Sequence, residues 1–245
     1  MAQVEAGDTD VAVRVDDGSE IGLLQAGFNR MVAGLRERDQ VRDLFGRHVG
    51  EEVAASALGR GHELGGELRD ASVLFVDVVG STSFAASRDP HDVVETLNRF
   101  FSIVVDVVTL HGGWVNKFEG DAALCAFGAP TEHPDASTAA LVAARELGRR
   151  LHLELDGLDA ALGVSAGMVV AGNIGAARRY EYTVVGDPVN EAARLTELAK
   201  TRPGRLLASE EILRRASEHE AARWKLGEQV LLRGRPEPTR VAAPA

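Results

Sequence analysis

From Ser72 onward the apolar residues fall into segments that alternate between strand-like and helix-like spacing, and the order of those segments restricts the fold more than any other feature of the chain. The spacing predicts a strand over 72–79, a helix over 90–110, and strands over 113–118 and 122–127 that turn at Gly120-Asp121. A helix over 135–153 and a strand over 158–170 follow. The order β-α-β-β-α-β is the split unit of a ferredoxin-like sheet, so the expected class is α+β. An arm over 178–185, a helix over 188–200, a strand over 205–208, a helix over 209–216 and strands over 222–232 and 238–242 complete the reading.

Charged residues sit where this pattern turns. Asp77 ends the apolar run Leu74-Phe75-Val76-Asp77-Val78-Val79 and is followed by Gly80-Ser81-Thr82. A carboxylate at a strand end beside such a turn suits a divalent cation with a phosphate nearby, because hard cations take oxygen ligands and turn amides attract anions. Asp121, beyond Gly120 in Lys117-Phe118-Glu119-Gly120-Asp121, can complete a two-metal clamp. Asn190 and Arg194 are four residues apart, so on a helix they share a face and can reach one substrate. Nucleotide chemistry is the first expectation.

Bulk composition narrows the partners. The chain has 245 residues, 45% hydrophobic and 26% charged, enough for one catalytic domain plus an accessory segment. A formal net charge of -10 opposes a polyphosphate backbone, so nucleic acid is not an expected partner, and ATP has to be drawn in by local cations. The lone Cys125 lies in an apolar run and reads as a buried, inert thiol, which fits a reducing compartment. The histidines show no metal-ligand spacing. Phe100–Leu110 is too short for a membrane span and contains Asp106, and no signal peptide is visible.

The first 18 residues are polar, with Val11, Val13 and Val15 alternating as in an extended connector. Ile21, Leu24, Phe28, Met31 and Leu35 then follow the 3,4 spacing of a helix that packs in a parallel coil, with Ser19 as its N-cap. Arg38 and Arg42 interrupt that seam before Phe45 and Val49 restore it. Residues 42–58 read as another helix, and the glycines at 59, 61, 65 and 66 as a flexible join. The expected divisions are 1–41, 42–69 and 70–245.

The stretch from Ile21-Gly22-Leu23 through Leu35-Arg36-Glu37-Arg38 resembles the second helix of a HAMP domain. That resemblance implies a piece of a longer bacterial receptor with a transmembrane region in its parent and its catalytic part on the cytoplasmic side. Downstream, Phe75-Val76-Asp77, Lys117 to Asp121, and Tyr182-Thr183-Val184-Val185-Gly186-Asp187-Pro188-Val189-Asn190-Glu191-Ala192-Ala193-Arg194 resemble, in order, the catalytic domain of class III nucleotidyl cyclases.

The cyclase resemblance implies conversion of ATP to cyclic AMP and pyrophosphate in a homodimer whose sites are shared between protomers. It assigns two divalent ions, Mg²⁺ or Mn²⁺, to Asp77, Asp121 and the Val78 carbonyl. Arg194 would stabilise the α-phosphoryl charge and Asn190 would hold the ribose. Lys117 would donate to adenine N1 and Thr183 would face the 6-amino group, the Thr form resembling class IIIb. Arg178 and Arg233 would meet the triphosphate, with Arg179 and Arg235 as possible substitutes, and Asp187 is expected to cap the helix before Pro188. A guanylyl cyclase is the nearest rival, although an ammonium at Lys117 disfavours guanine, whose N1 is a donor. A catalytically silent dimeric signalling module is the other.

Overall fold

The computed structural model describes residues 8–15, 19–50, 64–155 and 157–245. The chain divides into two compact units, 1–55 and 56–245.

The first unit is built on α1 (Glu20–Val49), capped by Ser19, whose hydroxyl accepts from the Gly22 amide at 3.5 Å. Residues 8–15 run antiparallel to the helix. Val13 exchanges hydrogen bonds of 2.8 and 2.7 Å with the Asn29 side chain, and Arg36 donates to the Thr9 carbonyl at 3.2 Å and pairs with Asp10 at 3.0 Å. Val32 is buried, whereas Ile21, Leu24 and Met31 of the seam are exposed. No new helix begins at 42 as expected: residues 42–49 continue α1, and 51–58 of the expected 42–58 lie outside the described residues. Arg38 and Arg42 weaken an apolar seam, but arginine is a good helix former, so the backbone continues through them.

In the second unit, β1 (Gly65–Val79) pairs antiparallel with both β3 (Ala122–Phe127) and β4 (Asp159–Ala176), and β2 (Trp114–Glu119) forms a hairpin with β3. The order β2-β3-β1-β4 is the one a split β-α-β-β-α-β unit requires. The sheet continues through β6 (Leu206–Ser209), β8 (Thr239–Pro244) and β7 (Trp224–Val230), while β5 (Arg179–Val185) folds back on β4.

The two faces of the sheet carry different helices. Leu74, Val76 and Val78 of β1 pack into the core with Phe100 and Val104 of α3 (Pro90–Leu110) and Leu141 and Leu147 of α4 (Ala136–Glu154). Strand alternation turns Phe75 and Asp77 the other way, toward α5 (Asp187–Ala199). That helix sits very close to the sheet: a Cβ at Gly163 of β4 would lie 2.2 Å from the Ala192 carbonyl oxygen, so only glycine permits the approach. Thr196 anchors the helix further by donating to the Phe75 carbonyl at 3.1 Å.

Several boundaries differ from expectation for physical reasons. The glycines at 65 and 66 belong to β1 rather than to a loop, because they face Asn173 and Gly172 of β4, and a Cβ at Gly172 would lie 2.1 Å from the Gly65 oxygen. The unforeseen short helices α2 (Ser81–Ala86) and α7 (Glu218–Ala221) flank the site strand and the last hairpin, and α6 (Glu210–Arg215) lies where a helix is expected. Asp187 does not cap α5: Gly186 is the N-cap, without a side-chain cap bond, and the Asp187 carboxylate pairs with Arg235 at 2.5 Å.

Candidate active site

Strand register brings the two candidate carboxylates together. Asp77 faces Ala122 across the β1/β3 ladder, which puts Asp121, at the β2–β3 turn, beside the end of β1. The Val78 amide donates to the Asp121 carbonyl at 3.4 Å, while the Val78 side chain is buried in the core. Gly80, Ser81 and Thr82 follow directly as the N-cap and first residues of α2.

Both carboxylates open onto a cleft of about 570 Å³ that is also lined by Glu119, Arg194, Glu197 and Arg233. Burial pushes the Asp77 carboxyl above its ordinary range, an effect only partly offset by the Lys200 ammonium, which lies 2.6 Å from its Oδ2. Lys200 also holds Glu197 at 2.8 Å. Partial burial alone would lower the Lys200 pKa, but its hydrogen bonds to Asp77 and Glu197 outweigh that and hold it above the ordinary lysine value.

Among the described residues no three His, Cys, Asp or Glu side chains gather as a cation site. Asp77 and Asp121 on an open cleft nevertheless fit Mg²⁺ chemistry, in which one or two carboxylates suffice and phosphate oxygens and waters complete the shell. The close approach of an ammonium to Asp77 shows that this carboxylate already draws a cation.

The expected base readers lie elsewhere in the same chain. Lys117 of β2 pairs with Glu181 of β5 at 2.7 Å and lies 3.8 Å from Glu119. Thr183 of β5 donates to the Asn116 side-chain oxygen at 2.7 Å, and the Asn116 amide donates to the Tyr182 carbonyl at 3.0 Å. Neither Lys117 nor Thr183 lines the carboxylate cleft.

The remaining candidates divide the same way. Asn190 is exposed on α5, one turn before Arg194, and does not line the cleft. Arg178 is exposed in the turn between β4 and β5. Arg235 is committed to structure: it binds Asp187, Glu191 and Thr239, and Glu191 in turn accepts from Ser165 at 2.5 Å and Thr239 at 2.6 Å. Arg233, two residues earlier and exposed, is the one left facing the cleft.

Sequence reasoning missed Asn116, Lys200 and the anchoring role of Glu191. Asn116 adjoins a recognised motif residue, but its contacts lie 66 and 67 residues away in the chain. Lys200 meets Asp77 across 123 residues, with no local signal.

A family model described as the adenylate and guanylate cyclase catalytic domain matches residues 66–241. A HAMP-domain model matches residues 1–37. Uncharacterized protein Rv1319c of Mycobacterium tuberculosis is 57% identical over 244 residues, taking in 100% of this chain and 46% of its own length. Uncharacterized protein Mb1354c of Mycobacterium bovis is 58% identical over 244 residues, with 100% and 43% covered. The chain therefore spans less than half the length of these relatives. Among solved structures, the guanylyl cyclase Cya2 is 33% identical at a TM-score of 0.61, over 73% of this chain and 93% of that one. The adenylyl cyclase CyaB of P. aeruginosa shares the fold at 23% identity and a TM-score of 0.64, over 73% and 95%.

Proposed function

The chain belongs to the family of adenylate and guanylate cyclase catalytic domains, and from that premise we propose that it converts ATP to 3′,5′-cyclic AMP and pyrophosphate. The observation that carries the proposal is the meeting of Asp77 and Asp121 at one cleft with two arginines, Arg194 and Arg233, along its walls. Two divalent ions, Mg²⁺ or Mn²⁺, held by Asp77, Asp121 and the Val78 carbonyl would lower the pKa of the ribose 3′-hydroxyl and neutralise the triphosphate.

The chain's own residues do the positioning. Arg194 presents a permanently charged, planar donor set to the oxygens of the α-phosphoryl group, and Arg233 and Arg178 offer charge to the pyrophosphate that departs. The turn amides of Gly80, Ser81 and Thr82 lie beside Asp77, where they suit an anion. Asn190 can both donate to and accept from the ribose. Lys117 and Thr183 address the base, where an ammonium facing N1 favours adenine over guanine.

We place the complete site between two copies of the chain. The carboxylates and the base readers form separate groups within one chain, and Asn190 does not line the carboxylate cleft, although Arg194, one turn further along α5, does. We assign Arg194, with Asn190, to the half that meets the partner's carboxylates, on the resemblance to a family whose sites are shared between protomers. A symmetric pair then has two sites. The exposed Ile21, Leu24 and Met31 of α1, within the HAMP match, suit a parallel helix pair that regulates closure. Removing residues 1–41 is expected to lower specific activity in dilute protein, with recovery on concentration. Sedimentation and activity across one dilution series check this, and a truncated chain that behaves like the full one removes α1 from regulation.

The guanylyl reading draws support from the 33% match to Cya2. Product formation from ATP and from GTP, each with Mg²⁺ and Mn²⁺, separates the two readings. Preferential turnover of GTP overturns the adenylyl proposal, and no product from either nucleotide leaves the silent signalling module.

A further inference from the structure

We propose that Asn116 is a positioning residue for purine selection: it takes the proton of the Thr183 hydroxyl, so that Thr183 can meet a purine only as an acceptor. This inference rests on the placement of Thr183 at the base proposed above. It follows from a chain of donors and acceptors with a fixed end. The Tyr182 carbonyl can only accept, so the Asn116 atom 3.0 Å from it is the amide nitrogen. The other end of that amide is then the oxygen, which carries no proton and lies 2.7 Å from Thr183 Oγ1. The hydrogen between them has to come from the threonine. Thr183 is 4% exposed, so bulk water gives its proton little competition for another acceptor.

Backbone geometry explains how Asn116 reaches this position. In a regular strand, neighbours point to opposite faces, yet Asn116 and Lys117 both bond to β5, at residues 181–183. The β2/β3 register shifts between Val115 and Lys117, so Asn116 is the extra residue of a bulge. Bulges re-aim a side chain in this way. The bulge turns two adjacent residues onto one arm: Lys117 as a donor, and Asn116 as the group that fixes the polarity of Thr183.

The consequence is selectivity at the 6-position of the purine. A hydroxyl is ordinarily neutral between partners, because it can donate or accept. With its proton committed to Asn116, Thr183 offers lone pairs, which suit the 6-amino group of adenine and repel a 6-oxo group. Lys117 reads N1, so the two residues act on different atoms of one edge.

ATP and ITP turnover by the full chain tests this, ITP differing at the 6-substituent and the N1 proton and lacking guanine's 2-amino group. We expect Asn116→Leu to lower the ATP:ITP ratio of kcat/KM by about fivefold, since the freed hydroxyl can donate to the 6-oxo group. Asn116→Asp, which still accepts that proton, should keep the ratio. Thr183→Val should lower it, and adding Asn116→Leu to Thr183→Val should lower it no further. The ratio is internal to each preparation, so partial loss of folded protein cancels. A wild-type ratio in Asn116→Leu overturns the inference. If Thr183→Val then shifts the ratio, the placement of Thr183 survives; if it does not, that placement falls as well.

Discussion

The carboxylate cleft and the proposed purine cluster of one chain are organised in different ways. In the cleft, Asp77 is half-buried and held by a lysine that also serves Glu197, a contact that a metal ion at Asp77 would have to displace. At the proposed purine cluster, Asn116 and Thr183 are joined by neutral hydrogen bonds, with a bulge and a backbone carbonyl fixing the amide. The contact at Asp77 is between charges, whereas Asn116 and Thr183 hold a fixed pattern of neutral hydrogen bonds.

The sharpest way to break this contrast is to remove the charged contact. Asp77→Ala is expected to reduce kcat by about 10²–10³-fold while leaving the purine cluster's preference for ATP over ITP in the residual rate unchanged. Turnover of both nucleotides in parallel reads both quantities. A changed preference would mean that the two halves are not separable.

A smaller effect is expected from Lys200→Met. If the ammonium occupies the cation's place at Asp77, its loss should tighten Mn²⁺ binding in the absence of nucleotide by about threefold, the scale of a partly exposed ion pair. Manganese titration followed by electron paramagnetic resonance measures this directly. Unchanged or weaker binding would make Lys200 a structural tether of α5 instead.

These two regions were also unequally legible in the sequence. Asp77 and Asp121 stood out because a carboxylate at the end of an apolar strand, or just beyond a turn glycine, breaks a local pattern. The succession β-α-β-β-α-β was legible because local periodicity marks each element, and the order β2-β3-β1-β4 is the one that such a split unit adopts. Asn116 was not, because its significance depends on a bulge that one strand's sequence does not announce. Lys200 was not, because its partner is set by how closely α5 approaches Gly163. The glycines at 65 and 66 misled, since glycine marks flexible joins as readily as places where backbones crowd. Arg38 and Arg42 misled in another way, because a polar residue in a seam interrupts packing without interrupting a helix.

The central claim is that a working site takes its carboxylates from one chain and Arg194 from another, even though Arg194 also lines its own chain's cleft. Mixing Asp77→Ala with Arg194→Ala tests it most directly, because only a shared site can be rebuilt from two such chains. With random pairing of equal amounts, half the dimers are mixed and each mixed dimer has one intact site of two, so activity should return to about a quarter of wild type from parents that are each nearly inactive. A mixture that stays as inactive as its parts, with mixed dimers demonstrated, would contradict the shared site and leave Asp77 and Arg194 acting within one chain.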